Sequence, residues 1–205
     1  MAWYRERVPA AGSGIPALHR QAEDNLRFIR DTMARAAEFT AVPGLGGALM
    51  GVTALATAIA SGPPGTGPRW LTLWLADASF AAAIGAVATV RKARRLGLSL
   101  FGGAGRRFAL AFAPPIAAAV VLTVVFAREG LVGRLPGSWL LLYGAAVASG
   151  GAFSVRVVPL MGASLMLLGV AAFVAPEAWG HLFMAAGFGL VQVVFGIIIA
   201  VKYGG

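Results

Sequence analysis

Apolar residues occur in six blocks, each long enough to cross the hydrocarbon core of a bilayer. The blocks cover roughly residues 41–61, 70–90, 108–127, 138–155, 157–175 and 180–201. A helix of about 20 apolar residues spans the core, which is about 30 Å thick. Because 59% of the chain is hydrophobic and only 12% is charged, too little polar surface remains to cover a water-soluble domain. The pattern predicts an all-α, polytopic membrane protein with six transmembrane helices.

The polar N-terminal segment divides the chain into two predicted parts. Residues 1–39 form a cytoplasmic N-terminal arm with an amphipathic helix, and residues 40–205 form the six-helix transmembrane domain. The arm is too polar to contain the apolar core of a signal peptide. The chain has no cysteine, which excludes disulfides and cysteine-based metal sites.

The distribution of Lys and Arg predicts the orientation. With the N-terminus in the cytoplasm, fourteen of the 17 basic residues lie on the inner side and three on the outer side. Both termini are then cytoplasmic, and most of the net charge of +9 is explained by topology rather than by a nucleic-acid partner. The expected topology anchors between the second and third spans are Arg91, Lys92, Arg94, Arg95, Arg106 and Arg107.

Four tryptophans lie near the predicted outer ends of spans, in agreement with this orientation. They are Trp70, Trp74, Trp139 and Trp179. Indole favours the headgroup region because its ring is apolar while its N–H can stay hydrated. We therefore expect these four rings to be interfacial.

Two segments predict an internal repeat. Residues 42–56 and 158–172 are identical at six of fifteen positions, and Gly46 matches Gly162 in this register. Because both segments start on the inner side, the pattern predicts a parallel repeat of helical hairpins. The alternative is that membrane segments rich in small residues resemble one another by composition. Gly47 and Gly51 also form a GxxxG pattern, which predicts a close helix contact within the chain or in a dimer.

The arm contains an apolar stripe at helical spacing. Its members are Leu18, Ala22, Leu26, Ile29 and Met33. Four arginines and four acidic residues share the stretch from His19 to Phe39, whereas a helix lying on lipid would have an excess of Lys and Arg. We expect residues 16–38 to bind a protein partner or a second copy of the chain; packing on the protein's own cytoplasmic loops is the alternative.

Asp77 and Gln192 are the candidate intramembrane polar site. Asp77 lies seven residues from Trp70, about 10 Å into the membrane. A charged Asp facing lipid at that depth would cost roughly 2.5–3.5 kcal/mol, so we expect it to face the bundle. The expected partners are the hydroxyls of Thr53, Thr57 and Ser149 or the Gln192 amide. Asp77 is then either a neutral acid that donates one interhelical hydrogen bond or part of a proton or cation pathway.

Catalytic and metal-binding patterns are missing from the sequence. The two histidines, His19 and His181, fall on opposite sides of the predicted membrane, and no Ser/His/Asp set or paired carboxylates occur. We predict no enzymatic activity, no metal and no cofactor.

Three stretches, "RFIRDTMARAAEFTAVPGLGG", "GGAFSVRVVPLMG" and "FGIIIAVKYGG", carry a resemblance over most of the chain. They resemble a family of small bacterial integral membrane proteins with a cytoplasmic N-terminal helix and about six spans. The resemblance implies a location in the bacterial cytoplasmic (inner) membrane and implies no activity, substrate or site residue. The predicted function is a noncatalytic membrane component, a regulatory or assembly subunit that docks a partner through the arm. The alternative is a small-solute or ion transporter or channel that uses Asp77.

Overall fold

The structure of the protein is a computed structural model that describes residues 21–29, 40–64, 68–97 and 103–204. These residues form helices joined by turns, and no strand occurs among them. The chain divides into two compact units, Met1–Ala37 and Glu38–Gly205. In the first unit, residues 21–29 are helical, and we label this helix α1.

The second unit is built from apolar helices. They are α2 (Gly44–Ser61), α3 (Pro68–Arg95), α4 (Gly103–Arg128), α5 (Leu135–Gly151), α6 (Val157–Val174), α7 (Gly180–Met184), the π-helical segment π1 (Ala185–Val191) and α8 (Gln192–Tyr203). The last three follow one another without a break and, with the preceding one-turn 3₁₀ helix, form a stretch of 27 residues, Glu177–Tyr203. Five helices in the described residues are long and apolar enough to cross a membrane. The all-α class and the multi-pass character predicted from the sequence are confirmed at this level.

The remaining helix of the second unit, α5, corresponds to the predicted fourth span. It contains 17 residues, so it rises about 25 Å, which is less than a typical hydrocarbon core. It also has more buried residues than any other described helix, including Leu135 and Leu140 with no exposed surface. α5 is therefore the helix that the rest of the unit surrounds most completely.

The basic segment between the second and third spans is more helical than its composition indicated. α3 continues through Arg95, and α4 begins at Gly103, before Arg106 and Arg107. Arg and Lys are good helix formers, and basic residues in a last turn interact favourably with the helix dipole. The basic residues thus extend α3 beyond its apolar portion, whereas Arg106 and Arg107 lie in the opening turns of α4, where the helix dipole disfavours cations.

The long helices that the structure describes in the second unit fall into two groups of three. In one group α2 packs against both α3 and α8, and in the other α5 packs against both α4 and α6. π1 and α7 join the groups, because they contact α2 as well as α5 or α6. The first and last membrane helices are therefore neighbours, a contact that no turn between consecutive helices enforces.

Glycine allows α2 and α8 to approach backbone to backbone. A methyl group added to Gly51 would lie 2.7 Å from the carbonyl oxygen of Gly189 and 2.8 Å from the amide nitrogen of Val193. A methyl group on Gly196 would lie 2.8 Å from the carbonyl oxygen of Gly44. Without a hydrophobic driving force in lipid, such close approach is what holds helices together. Of the predicted GxxxG pair, Gly51 makes this close contact within the chain, whereas a methyl group on Gly47 would lie 3.7 Å from the nearest atom, the Cα of Gly196.

The α5–α6 pair has the same construction. A methyl group on Gly144 would lie 2.7 Å from the carbonyl oxygen of Gly162, and one on Gly169 would lie 2.6 Å from the amide nitrogen of Leu141. Each contact has a counterpart between α2 and the continuous π1–α8 stretch, and the contacting glycines are seven residues apart on each partner. The corresponding residues are Gly44 and Gly162, Gly51 and Gly169, Gly196 and Gly144, and Gly189 and Gly137.

This correspondence differs from the repeat predicted from the sequence. Both relate α2 to α6, but the predicted register matches Gly46 with Gly162. In the structure Gly46 faces the side chain of Ala88 on α3, whereas Gly162 faces the backbone of Ala148 on α5. The contacts thus relate the two helices in a register shifted by two residues, and they pair α8 with α5. The hairpin repeat stays a prediction.

Tryptophan packing differs from the expected interfacial arrangement. Trp70 has no exposed surface, Trp74 is 3% exposed, and Trp70 stacks on Trp139 with ring centres 5.7 Å apart. The Trp70 indole N–H has no hydrogen-bond partner among the described residues. Trp179 alone of the four is largely exposed. The expectation of a hydrated indole is therefore wrong for Trp70. Its ring is buried against other aromatic rings of the bundle, so its N–H does not reach the headgroup region.

Candidate functional site

Asp77 lies on the side of α3 that faces α2. It is half-buried, and its carboxyl group lies beside the side chains of Thr53 and Thr57, two of its predicted partners. The Thr53 hydroxyl donates to the carbonyl oxygen of Met50 at 2.8 Å. The two roles expected for Asp77, a neutral acid in an interhelical hydrogen bond and a member of a proton or cation pathway, both stay predictions.

Further polar contacts tie α2 to α3 on either side of Asp77. The indole N–H of Trp74 donates to the Ser61 hydroxyl at 3.1 Å. At the opposite end, Nζ of Lys92 donates to the carbonyl oxygen of Val42 at 3.0 Å. Along α3, Asp77 therefore lies between these two contacts, close to that of Trp74.

Gln192 is deeply buried at the start of α8. It is 4% exposed, and its Nε2 donates to the hydroxyl of Tyr143 on α5 at 3.1 Å. Its Oε1 has no hydrogen-bond partner among the described residues. A buried carbonyl oxygen without a donor is unfavourable, by about 1–3 kcal/mol. It can accept a hydrogen bond from a water, an ion's hydration shell or a bound molecule.

An aromatic series leads to the Gln192–Tyr143 pair. Phe108 stacks on Phe112 at 5.7 Å between ring centres, and Phe112 meets Tyr143 edge-on at 6.1 Å. On the other side, Phe188 of π1 lies 5.2 Å from Tyr143. These rings enclose the polar pair and hold the tyrosine hydroxyl toward Gln192.

The structure does not bring Asp77 and Gln192 into contact. Gly189 faces Leu55 and Gly51 faces Val193, so Gln192 lies at about the depth of Thr53. Thr53 and Thr57 of α2 lie toward α3, however, whereas Gly51 of α2 faces π1 and α8. The two predicted site residues therefore share a depth on different sides of α2.

Tyr143 and π1 are features that the sequence analysis missed. In the sequence, Tyr143 cannot be distinguished from an aromatic residue at the membrane interface. The residues that flank it in the chain do not indicate a contact with Gln192. The π turn lies in "AAGFGLV", where Gly187 faces Leu140 and Gly189 faces Leu55. The signal available in the sequence was the pair of glycines shortly before Gln192. It would have pointed to an irregular helical turn beside the buried amide, and π turns are frequent at functional sites.

The predicted topology anchors have different environments. The five arginines are exposed, namely Arg91, Arg94, Arg95, Arg106 and Arg107. Lys92 is only 8% exposed, and its ammonium group bonds to the end of the segment before α2. Lys92 thus also fastens α3 to α2.

The described part of the predicted partner-binding stripe lies on α1. Ala22, Leu26 and Ile29 are exposed there, whereas Leu18 and Met33 lie outside the described residues. The stretch is regular helix from residue 21 to residue 29, so these three side chains share one face.

Residues that could ligate a metal are dispersed. In the described part of the chain, no three or more His, Asp or Glu side chains lie close enough together to hold a metal ion. Nδ1 of His181 lies 2.8 Å from the carbonyl oxygen of Ala178, and Glu177 pairs with Arg134 at 3.3 Å. Both contacts are at exposed turns.

No family model, curated protein or solved structure matches the chain. The family resemblance read from the sequence therefore stays a prediction.

Proposed function

We propose that the protein is a noncatalytic integral membrane component, a regulatory or assembly subunit that docks another protein through its N-terminal helix. The observation that carries the proposal is the exposure of the apolar face of α1. Leu26 is 62% exposed and Ile29 is 51% exposed, with Ala22 one turn earlier on the same face. Apolar residues at this spacing are the anchors by which an amphipathic helix binds a groove in another protein.

The charges beside this face favour a protein over a lipid surface. In residues 21–29, Glu23 and Asp24 outnumber Arg27, so the described polar face has no positive excess. Binding to anionic lipid relies on such an excess. The proposed occupant of the apolar face is therefore a helix or groove of a partner protein.

Copurification from native membranes tests the docking proposal. The full chain should retain a partner at fixed stoichiometry, and Leu26→Glu should release it because a carboxylate cannot enter an apolar groove. Gln21→Glu is the matched control, since it adds the same charge to the same helix away from the stripe, and it should retain the partner.

Three results would count against docking. The partner content of the Leu26→Glu variant could equal that of wild type, or the control could lose the partner as well. A change in oligomer mass without a second protein would assign the stripe to self-association.

We further propose that α5 is a sixth span and that both termini face the cytoplasm of a bacterial inner membrane. The burial of α5 among apolar helices supports the sixth span. The excess of basic residues on the proposed inner side supports the orientation. The N-terminal helix would then meet its partner at the cytoplasmic face.

The second candidate function is passage of a proton, cation or small solute. The observation that favours it is a pair of polar groups at one depth: the Asp77 carboxyl with two threonine hydroxyls, and the unpartnered Oε1 of Gln192 beside a π turn. Ionisable residues within membrane helices commonly mark ion pathways.

Flux measurements in proteoliposomes test this second function. Asp77→Asn keeps the size and hydrogen bonding of the side chain but cannot carry a proton, so pH-dependent flux should disappear while the fold is retained. Ser79→Ala on the exposed side of α3 is the control and should keep the flux. Wild-type protein that carries no proton, cation or solute beyond empty liposomes would remove this candidate.

A further inference from the structure

An open groove runs along the outside of the α2–α3 pair, near the start of α2 and the end of α3. Its volume is about 530 Å³. Apolar side chains line most of its length, including Leu45, Leu49 and Val87, which are 64%, 53% and 49% exposed. Small residues at the helix contact, such as Gly46 against Ala88, leave the space between the larger side chains.

The end of this groove is cationic. Arg91, Lys92 and Arg95 line it there, within little more than one helical turn. Among the described residues no carboxylate pairs with any of the three, and Lys92 uses one of its three donors on the carbonyl oxygen of Val42. Three neighbouring cations without an anion form a strongly positive local field. Their donors suit the oxygens of a phosphate group.

The length of the groove, including its charged end, matches that of a lipid in one leaflet. From Ala83 to Arg95 the α3 side of the groove rises about 18 Å at 1.5 Å per residue. One leaflet occupies about half of a hydrocarbon core of about 30 Å. An acyl chain in the apolar part would therefore place its headgroup at the arginines.

We propose that this groove binds one anionic phospholipid, with the phosphate at Arg91, Lys92 and Arg95 and an acyl chain between α2 and α3. The site lies wholly within the α2–α3 pair, so the inference is independent of the partner that α1 binds and of transport. A zwitterionic lipid is disfavoured because its quaternary ammonium would lie beside three cations. A free phosphate would leave the apolar lining unused.

Native mass spectrometry of the full-length protein in detergent tests the charged end. Wild type should retain one phosphatidylglycerol with at least about tenfold preference over phosphatidylcholine, and Arg91→Gln/Arg95→Gln should abolish that preference. Arg94→Gln is the matched control, because Arg94 lies on the same helical turn, is exposed and does not line the groove. Equal loss in the control, or retained preference in the double variant, would overturn the site.

A second pair of variants tests the acyl-chain portion. Val87→Trp should fill the groove and reduce phosphatidylglycerol retention at least tenfold, while Val121→Trp on the exposed side of α4 should not. Unchanged retention in Val87→Trp would show headgroup adsorption alone. Displacement of the lipid by millimolar glycerol phosphate would show a free-phosphate site. Either result contradicts a lipid in the groove.

Discussion

Individual glycines in this bundle tolerate an added methyl group very differently. On Gly162 a methyl group would lie 2.5 Å from the amide nitrogen of Ala148 and 2.6 Å from the carbonyl oxygen of Gly144, which are backbone atoms. On Gly47 the nearest atom is the Cα of Gly196 at 3.7 Å, an ordinary contact. Only the first substitution would force two helices apart.

We therefore expect Gly162→Ala to destabilise the protein by about 1–3 kcal/mol. Gly47→Ala should be neutral or stabilising by up to about 1 kcal/mol, because alanine is the better helix former. Thermal unfolding of both variants in one detergent measures the difference. Equal melting temperatures would show that the α5–α6 contact is not as close as described.

The Gln192–Tyr143 hydrogen bond can be measured by a double-mutant cycle. Tyr143→Phe leaves the Gln192 amide without its acceptor, and Gln192→Met leaves the tyrosine hydroxyl without its donor, so each single variant should be destabilised. The double variant should be less destabilised than the sum of the two, with a coupling of about 0.6–1.7 kcal/mol, as for other hydrogen bonds between membrane helices. Strictly additive unfolding energies would show that the two side chains do not interact in the folded protein.

Among the helical elements, π1 is the one whose length can change most easily. A π turn closes i→i+5 hydrogen bonds and so accommodates one residue more than an α-turn. Removing Ala186 should convert π1 to α-helix while α7 and α8 keep their contacts, because the flanking registers are preserved. Removing Leu167 from regular α6 should instead rotate all following side chains by about 100° and break the glycine contact at Gly169.

The melting temperatures and yields of the two deletion variants check this expectation. We expect the Ala186 deletion to be purified as a folded protein and the Leu167 deletion to be lost. A more severe effect of the Ala186 deletion would show that the π turn is required for the fold.

At the scale of the whole molecule, orientation follows from charge and can be tested by labelling. Because the chain has no cysteine, single cysteines can be introduced one at a time. In intact cells, cysteine at Ser13 or Gly204 should resist an impermeant thiol reagent, since we propose that both termini are cytoplasmic. Cysteine at Thr66 should react. Labelling at Ser13 without labelling at Thr66 would reverse the proposed topology.

Much of the architecture and part of the polar site could be predicted from the amino-acid sequence. Helical class and approximate helix positions follow from the length and hydropathy of each block, which are local properties of the chain. Thr53 and Thr57 were predictable as partners of Asp77, because consecutive antiparallel helices place them at similar depth. Tyr143 was not, since its pairing with Gln192 depends on a contact between helices far apart in sequence.

Which helices touch, and through which faces, was settled only by the packed bundle. α5 and α6 are apolar on nearly every side, so no amphipathic stripe marks the packed face as it would in a water-soluble protein. Contact between such helices depends on how closely two backbones can approach, which is a property of both surfaces together. That is why α2 lies beside α8, why Trp70 is enclosed rather than interfacial, and why Lys92 bonds to Val42 in addition to marking a membrane boundary.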